Sequence, residues 1–179
     1  MHELMHGLGP HQTGQGTTVR EAMQESGSAL EEAKADISGL FALQLLVDKG
    51  VLDRSLERTM YATFLASAFR SIRFGTNVAH GKGMALQLNT DLDAGAMRVA
   101  ADGTFAVVPE RIREAVARLT GEIMTLQASG DMERAREWLK KMGVVRPEVK
   151  RVLDKLAAVP VDVEPRFTAA DRLRSGESR

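Results

Sequence analysis

Glu31-Glu32-Ala33-Lys34-Ala35-Asp36-Ile37-Ser38-Gly39-Leu40-Phe41-Ala42-Leu43-Gln44-Leu45-Leu46-Val47 is the stretch that decides the fold class. From Ile37 to Val47 it is apolar on nearly every face of a helix, which predicts a buried helix. Lys49 in the last turn and Gly50 beyond it give that helix its stop. Its start falls near Val19 or near Ser28. The polar head of the stretch is unusual, because Glu31, Glu32 and Asp36 lead straight into the apolar part. Unpartnered carboxylates beside a buried helix are costly, so these acids need company.

Working outward, helical periodicity dominates. Residues 1–7 read as the end of a helix, stopped by Gly7-Leu8-Gly9-Pro10, and 11–18 read as a loop rich in glycine, threonine and glutamine. Further helices are predicted over 56–74 and 77–92, the second weakened locally by Gly81 and Gly83. Met97 to Ala100 and Thr104 to Val108 flank Asp102-Gly103, a pair favoured in tight hairpin turns. Pro109 opens a helix to about residue 128, Asp131 caps one to about 141, and Pro147 opens one to about 158. Residues 159–167 read as extended, and 168–179 as a flexible tail. The expected fold class is mainly α, one helical lobe over 1–167 with a small β-hairpin near 97–108.

The chain has 179 residues, enough for one domain with a sizeable core. Lysine plus arginine equals aspartate plus glutamate at 24 each, so no basic excess points to nucleic acid or to an anionic membrane. With no cysteine, any metal must be held by nitrogen and oxygen, and the composition agrees with a reducing compartment. The most apolar run, residues 39–47, is interrupted by Gln44 and falls short of the roughly 20 apolar residues that span a bilayer. No secretory signal is visible at the N-terminus, and the expected location is the cytoplasm.

The chemistry is carried by His2-Glu3-Leu4-Met5-His6. Histidines four apart on a helix share a face and can grip one ion, while Glu3 can reach a water on that ion as general base. A catalytic zinc needs a third protein ligand, and Glu32 offers one on the next helix. Asp36, one turn after Glu32, can accept a hydrogen bond from the outer ring nitrogen of a ligand histidine and so fix its tautomer. Glu31 has two readings: such a partner for a histidine, or the distal member of a capping box Ser28-Ala29-Leu30-Glu31. Zinc is favoured for two imidazoles and one carboxylate, although cobalt or manganese could occupy the same ligands.

The stretches His2-Glu3-Leu4-Met5-His6-Gly7-Leu8-Gly9-Pro10, Thr17-Thr18-Val19-Arg20-Glu21 and Ala29-Leu30-Glu31-Glu32-Ala33-Lys34-Ala35-Asp36 resemble the dipeptidyl-peptidase III family of zinc peptidases. They look closest to its bacterial and plant branch of Nudix-associated zinc hydrolases, as do Phe74-Gly75, Ala79-His80-Gly81-Lys82-Gly83 and Leu86-Gln87-Leu88-Asn89. The resemblance implies zinc ligands His2, His6 and Glu32, general base Glu3, supporting residues Glu31 and Asp36, and a substrate- or oxyanion-contacting His80. A structural hydrogen bond is the alternative for His80, and a solvated lysine is the alternative for Lys82. The metal histidines here stand one residue closer than in the name-giving enzymes, and Gly27, Asn77 and His11 depart from the expected pattern.

Family members are much longer, with a large region before the histidine motif. The resemblance therefore implies the catalytic portion of a two-lobed exopeptidase that acts on oligopeptides, expected to bind zinc weakly and act slowly on its own. A second reading is a non-catalytic helical remnant or interaction module that self-associates through an exposed apolar surface and shows no metal dependence. A Nudix phosphohydrolase is not supported, because no glycine-led, glutamate-rich helix of that type is present.

Overall fold

The computed structural model describes residues 1–162 and 165–175. Its elements run α1 (His2–His6), α2 (Val19–Met23), α3 (Gly27–Asp48), α4 (Ser55–Arg73), α5 (Ala79–Asp93), β1 (Met97–Val99), β2 (Phe105–Val107), α6 (Pro109–Ser129), α7 (Met132–Met142), α8 (Pro147–Lys155) and α9 (Thr168–Ser175). The fold is mainly α with one small antiparallel sheet, as expected.

Helix α3 is the axis of the molecule. Leu30, Ala33, Ile37 and Leu40 point into a core shared with α4, α5 and α6. Burial all round, expected from the apolar run, does not hold. Phe41 and Leu45 are 40% and 43% exposed. Both lie roughly opposite the face of α3 on which Gly39 meets α1, so α1 does not cover them.

The start of α3 is also resolved. Gln24 takes a positive φ of 49°, which breaks α2 from α3 through a short 3-10 turn, Gln24–Ser26. The capping box belongs to α2, not to α3. Glu21 N–H donates to the Thr18 hydroxyl oxygen at 3.2 Å, and Thr18 N–H donates back to Glu21. Ser28 lies inside α3, so the capping reading of Glu31 fails.

Helix α5 is continuous through Gly81 and Gly83, and the glycines serve close approach. A Cβ on Gly83 would lie 2.6 Å from the Ala29 carbonyl oxygen, so only glycine lets α5 press this tightly on α3. The hairpin turns at Asp102-Gly103, with Gly103 at φ +84°, and pairs Met97 with Val107. Its Phe105 ring packs edge-on against Phe69 of α4, centroids 4.9 Å apart. Asp131 caps α7 by accepting from Arg134 N–H at 3.0 Å. Where a flexible tail is expected from residue 168, Thr168–Ser175 is helical, and 176–179 lie outside the described residues.

Candidate metal centre

Helix α1 has five residues and no side-chain cap at its start. Its contacts with α3 place its histidines. It sits on Gly39, where a Cβ would meet the Met1 Cβ at 3.4 Å and the His2 nitrogen at 3.6 Å. Met5 is buried beneath it, and the spacing of His2 and His6 turns both rings toward the first three turns of α3.

Each ring is held from behind by a carboxylate. His2 Nδ1 lies 2.7 Å from Asp36 Oδ1, and His6 Nδ1 lies 2.9 Å from Glu31 Oε1. A carboxylate at Nδ1 fixes the proton there and leaves the Nε2 lone pair facing inward. The two Nε2 atoms stand 3.1 Å apart. Glu32 Oε2 lies 3.2 Å from His2 Nε2 and 3.8 Å from His6 Nε2. His80, in the first turn of α5, brings its Nδ1 to 2.8 Å from the same oxygen, although its side chain is 63% exposed.

The two Nε2 atoms are within hydrogen-bonding reach of each other, whereas the three imidazole contacts to Glu32 lack hydrogen-bond geometry, and Glu32 Oε2 is a buried oxygen without a hydrogen-bond partner. Two ring nitrogens and a carboxylate oxygen therefore converge on one point, an arrangement that a shared proton or a cation would stabilise. A tetrahedral zinc with bonds of about 2.0–2.1 Å separates its donor atoms by about 3.3 Å, within the spread of the separations seen here. His2, His6 and Glu32 are the one group of such side chains among the described residues whose donor atoms cluster closely enough to hold an ion. Of the carboxylates of Glu31, Glu32 and Asp36, only that of Glu31 meets an ammonium, that of Lys34, so the charge balance also favours a cation. The donor set fits zinc.

Behind the carboxylates lies a layer that sequence reading missed. Lys34, 1% exposed, donates to Glu31 Oε1 and to the Leu8 carbonyl oxygen, each at 2.8 Å. Gln127 of α6 donates to Glu31 Oε2 at 3.0 Å, and Gln87 of α5 lies 3.4 Å from Asp36 Oδ2. Burial acts to raise the Glu31 pKa, but the bonds from Lys34, His6 and Gln127 outweigh it and hold the acid below the ordinary glutamate value. Lys34 had one legible signal, a long cation set between Ala33 and Ala35 in a helix that turns inward. Gln127 had none, being 95 residues from Glu32 in sequence.

Glu3 is exposed on α1 beside His2. A cavity of about 530 Å³ reaches the cluster, lined by Glu31 and Glu32 together with His11, Thr18, Arg20 and Gln24. A larger one, about 690 Å³, lies between α4 and α6 against Tyr61 and Arg113, away from these groups. The smaller is the one relevant to chemistry at Glu32. No helix among the described residues is long and apolar enough to cross a membrane.

No protein-family model matches the chain. Among curated proteins it is 47% identical over 178 residues to Nudix hydrolase 3 of Arabidopsis thaliana, which covers 96% of this chain and 23% of that protein. Among solved structures it superimposes on dipeptidyl-peptidase III from Corallococcus sp. strain EGB with a TM-score of 0.90 and 64% identity, covering 97% of this chain and 33% of that one. The corresponding figures for DPP III from Caldithrix abyssi are 0.89, 36%, 97% and 34%. Over nearly its whole length, then, this chain is similar in sequence and fold to about a third of two dipeptidyl-peptidase III structures, and it spans about a quarter of the curated relative.

Proposed function

We propose that the 1–167 lobe is the metal-bearing part of a zinc-dependent peptidase of the dipeptidyl-peptidase type, with His2, His6 and Glu32 as ligands and an oligopeptide as substrate. The observation that supports this best is the convergence of two inward Nε2 lone pairs on a buried, unpartnered Glu32 Oε2. The likeness to two dipeptidyl-peptidase III structures supports it independently. When bound, zinc supplies the Lewis acidity that makes water a nucleophile near neutral pH.

The chain's own residues do the rest. Asp36 and Glu31 hold the Nδ1 protons and orient the rings. Glu3 takes the proton of the attacking water on its carboxylate and passes it to the leaving amine. His80, beside Glu32 and open to solvent, donates a hydrogen bond to the oxygen that gains charge as the carbonyl is attacked. The cavity lined by Arg20, Gln24 and Glu32 receives the peptide. The reading keeps a cytoplasmic setting, with which the cysteine-free composition agrees.

Metal analysis and zinc calorimetry on this chain test the proposal, alongside His2→Ala and Glu3→Gln. One zinc per chain is expected, lost in His2→Ala and retained in Glu3→Gln. Zinc binding that His2→Ala leaves unchanged rules out the site. In a form that hydrolyses peptides, Glu3→Gln should abolish turnover while keeping the metal.

A second reading, a protein-interaction surface, draws on Leu4, Phe41 and Leu45, which are 65%, 40% and 43% exposed on α1 and α3. It predicts concentration-dependent self-association in sedimentation experiments that Phe41→Ser with Leu45→Ser abolishes, with or without zinc.

A further inference from the structure

Lys34 is the most deeply buried cation at the centre, and no role falls to it in the proposed chemistry. Its side chain is 1% exposed, where an ammonium is costly unless every contact it makes is favourable. The aliphatic stem runs beneath the turn after α1. A Cβ on Gly9 would lie 3.4 Å from its Cδ, and Gly9 holds φ +90°, so the turn closes over the lysine. At its tip, Nζ donates to the Leu8 carbonyl oxygen and to Glu31 Oε1, both at 2.8 Å.

These two contacts act on one element. Leu8 lies two residues beyond His6, and Glu31 Oε1 is the oxygen that accepts from His6 Nδ1 at 2.9 Å. One ammonium therefore fastens the C-terminal end of α1 to α3 and shares the oxygen that orients the second histidine. The first histidine is treated differently. Asp36, behind His2, meets no cation, only the Gln87 amide at 3.4 Å. A carboxylate that keeps its full charge makes the imidazole it backs a stronger donor. One whose charge is shared with an ammonium does so less.

We infer that Lys34 is the positioning residue of the centre: it clamps α1 against α3 and tempers Glu31, making His6 a fixed but weaker donor than His2. The inference rests on the reading of His2, His6 and Glu32 as a metal site. It requires both the charge of Lys34 and its reach, so an apolar side chain of similar length should fill the space without doing the work.

Zinc calorimetry and the visible spectrum of the cobalt(II)-loaded chain test it, on wild type, Lys34→Met and Lys34→Arg, with His2→Ala as the control. Wild type that binds neither metal, or binds both as well as His2→Ala does, overturns the metal-site reading itself. If wild type binds and His2→Ala does not, Lys34→Met is expected to weaken zinc binding about 10–100-fold, because the loosened α1 outweighs the firmer donation that an untempered Glu31 gives His6, and to shift the cobalt band. Lys34→Arg, which keeps the charge, is expected to recover most of the affinity. Equal affinity and an unchanged cobalt spectrum in Lys34→Met overturn the inference, since a lysine that only filled space would lower thermal stability alone. Should circular dichroism show Lys34→Met unfolded, Lys34→Gln keeps a donor without the charge, and wild-type affinity in that variant overturns the inference equally.

Discussion

The N-terminal half of α3 and the C-terminal half of α5 both carry carboxylates into the interior, and they treat them in opposite ways. On α3, Glu31 accepts from Lys34, His6 and Gln127, and Asp36 accepts from His2. Burial raises the Glu31 pKa, but its bonds win and keep it ionised. On α5, Asp91 is fully buried, and neither carboxylate oxygen has a hydrogen-bond partner. Burial pushes its pKa up to about 7, with Arg118 opposing only in part. Burial alone therefore neutralises an acid, whereas burial among donors preserves its charge. The charged oxygens of Glu31 and Asp36 then orient the two imidazoles, whose other nitrogens share a common point with Glu32 Oε2.

The largest expected effect breaks this comparison at Asp91. The acid titrates near 3.8 when unfolded and near 7 when folded, so between those values the folded chain holds a proton that the unfolded chain has released. Its contribution to stability is fully present below the unfolded value, declines as pH rises through the folded one, and is lost above it. Asp91→Asn, which cannot ionise, should gain on wild type by up to about 4 kcal/mol at pH 8 and by almost nothing at pH 4. Urea unfolding at the two pH values reads it. A difference between variant and wild type that does not change with pH would mean that Asp91 is ionised and paired in solution.

The same contrast explains what could be read in the sequence. His2, His6, Glu32 and Asp36 were legible because helical spacing alone puts each pair on one face. The hairpin at Asp102-Gly103 and the proline-led start of α6 were legible because their residues act within a few positions of themselves. Burial was less so. Nothing local in the 37–47 run distinguishes exposed Phe41 from buried Leu40, since both are apolar and exposure depends on which elements pack on each face. Gly83 reads locally as a weak point in α5, yet it lies against the Ala29 carbonyl oxygen across the helix interface. Gln127 and the ammonium of Lys34 matter only through contacts made after the chain has folded. Asp91 gives no sign in sequence that it lacks a partner.

Asp36 offers the intermediate effect. Asp36→Asn keeps the shape but removes the charge behind His2, and an amide can turn its NH₂ toward Nδ1, favouring the wrong tautomer. Zinc affinity should fall about 10–100-fold, with the fold intact by circular dichroism. An unchanged affinity would show that His2 is oriented by Gly39 and Met5 packing alone, and that the carboxylates of α3 are not organised around a metal.

The smallest effect sharpens the comparison, because Gln127 takes part in both kinds of environment. Its Nε2 donates to Glu31 Oε2 at 3.0 Å, while its own Oε1 is buried without a partner, as the Asp91 oxygens are. Gln127→Leu removes a hydrogen bond to a charged group, which destabilises, and removes an orphaned acceptor, which stabilises. The two nearly cancel, so thermal stability should move by less than about 1 kcal/mol. Glu31 keeps Lys34 and His6, and zinc affinity should therefore drop less than the roughly tenfold lower bound expected for Asp36→Asn. A loss as large as that at Asp36 would make Gln127, rather than Lys34, the partner on which the charge of Glu31 depends.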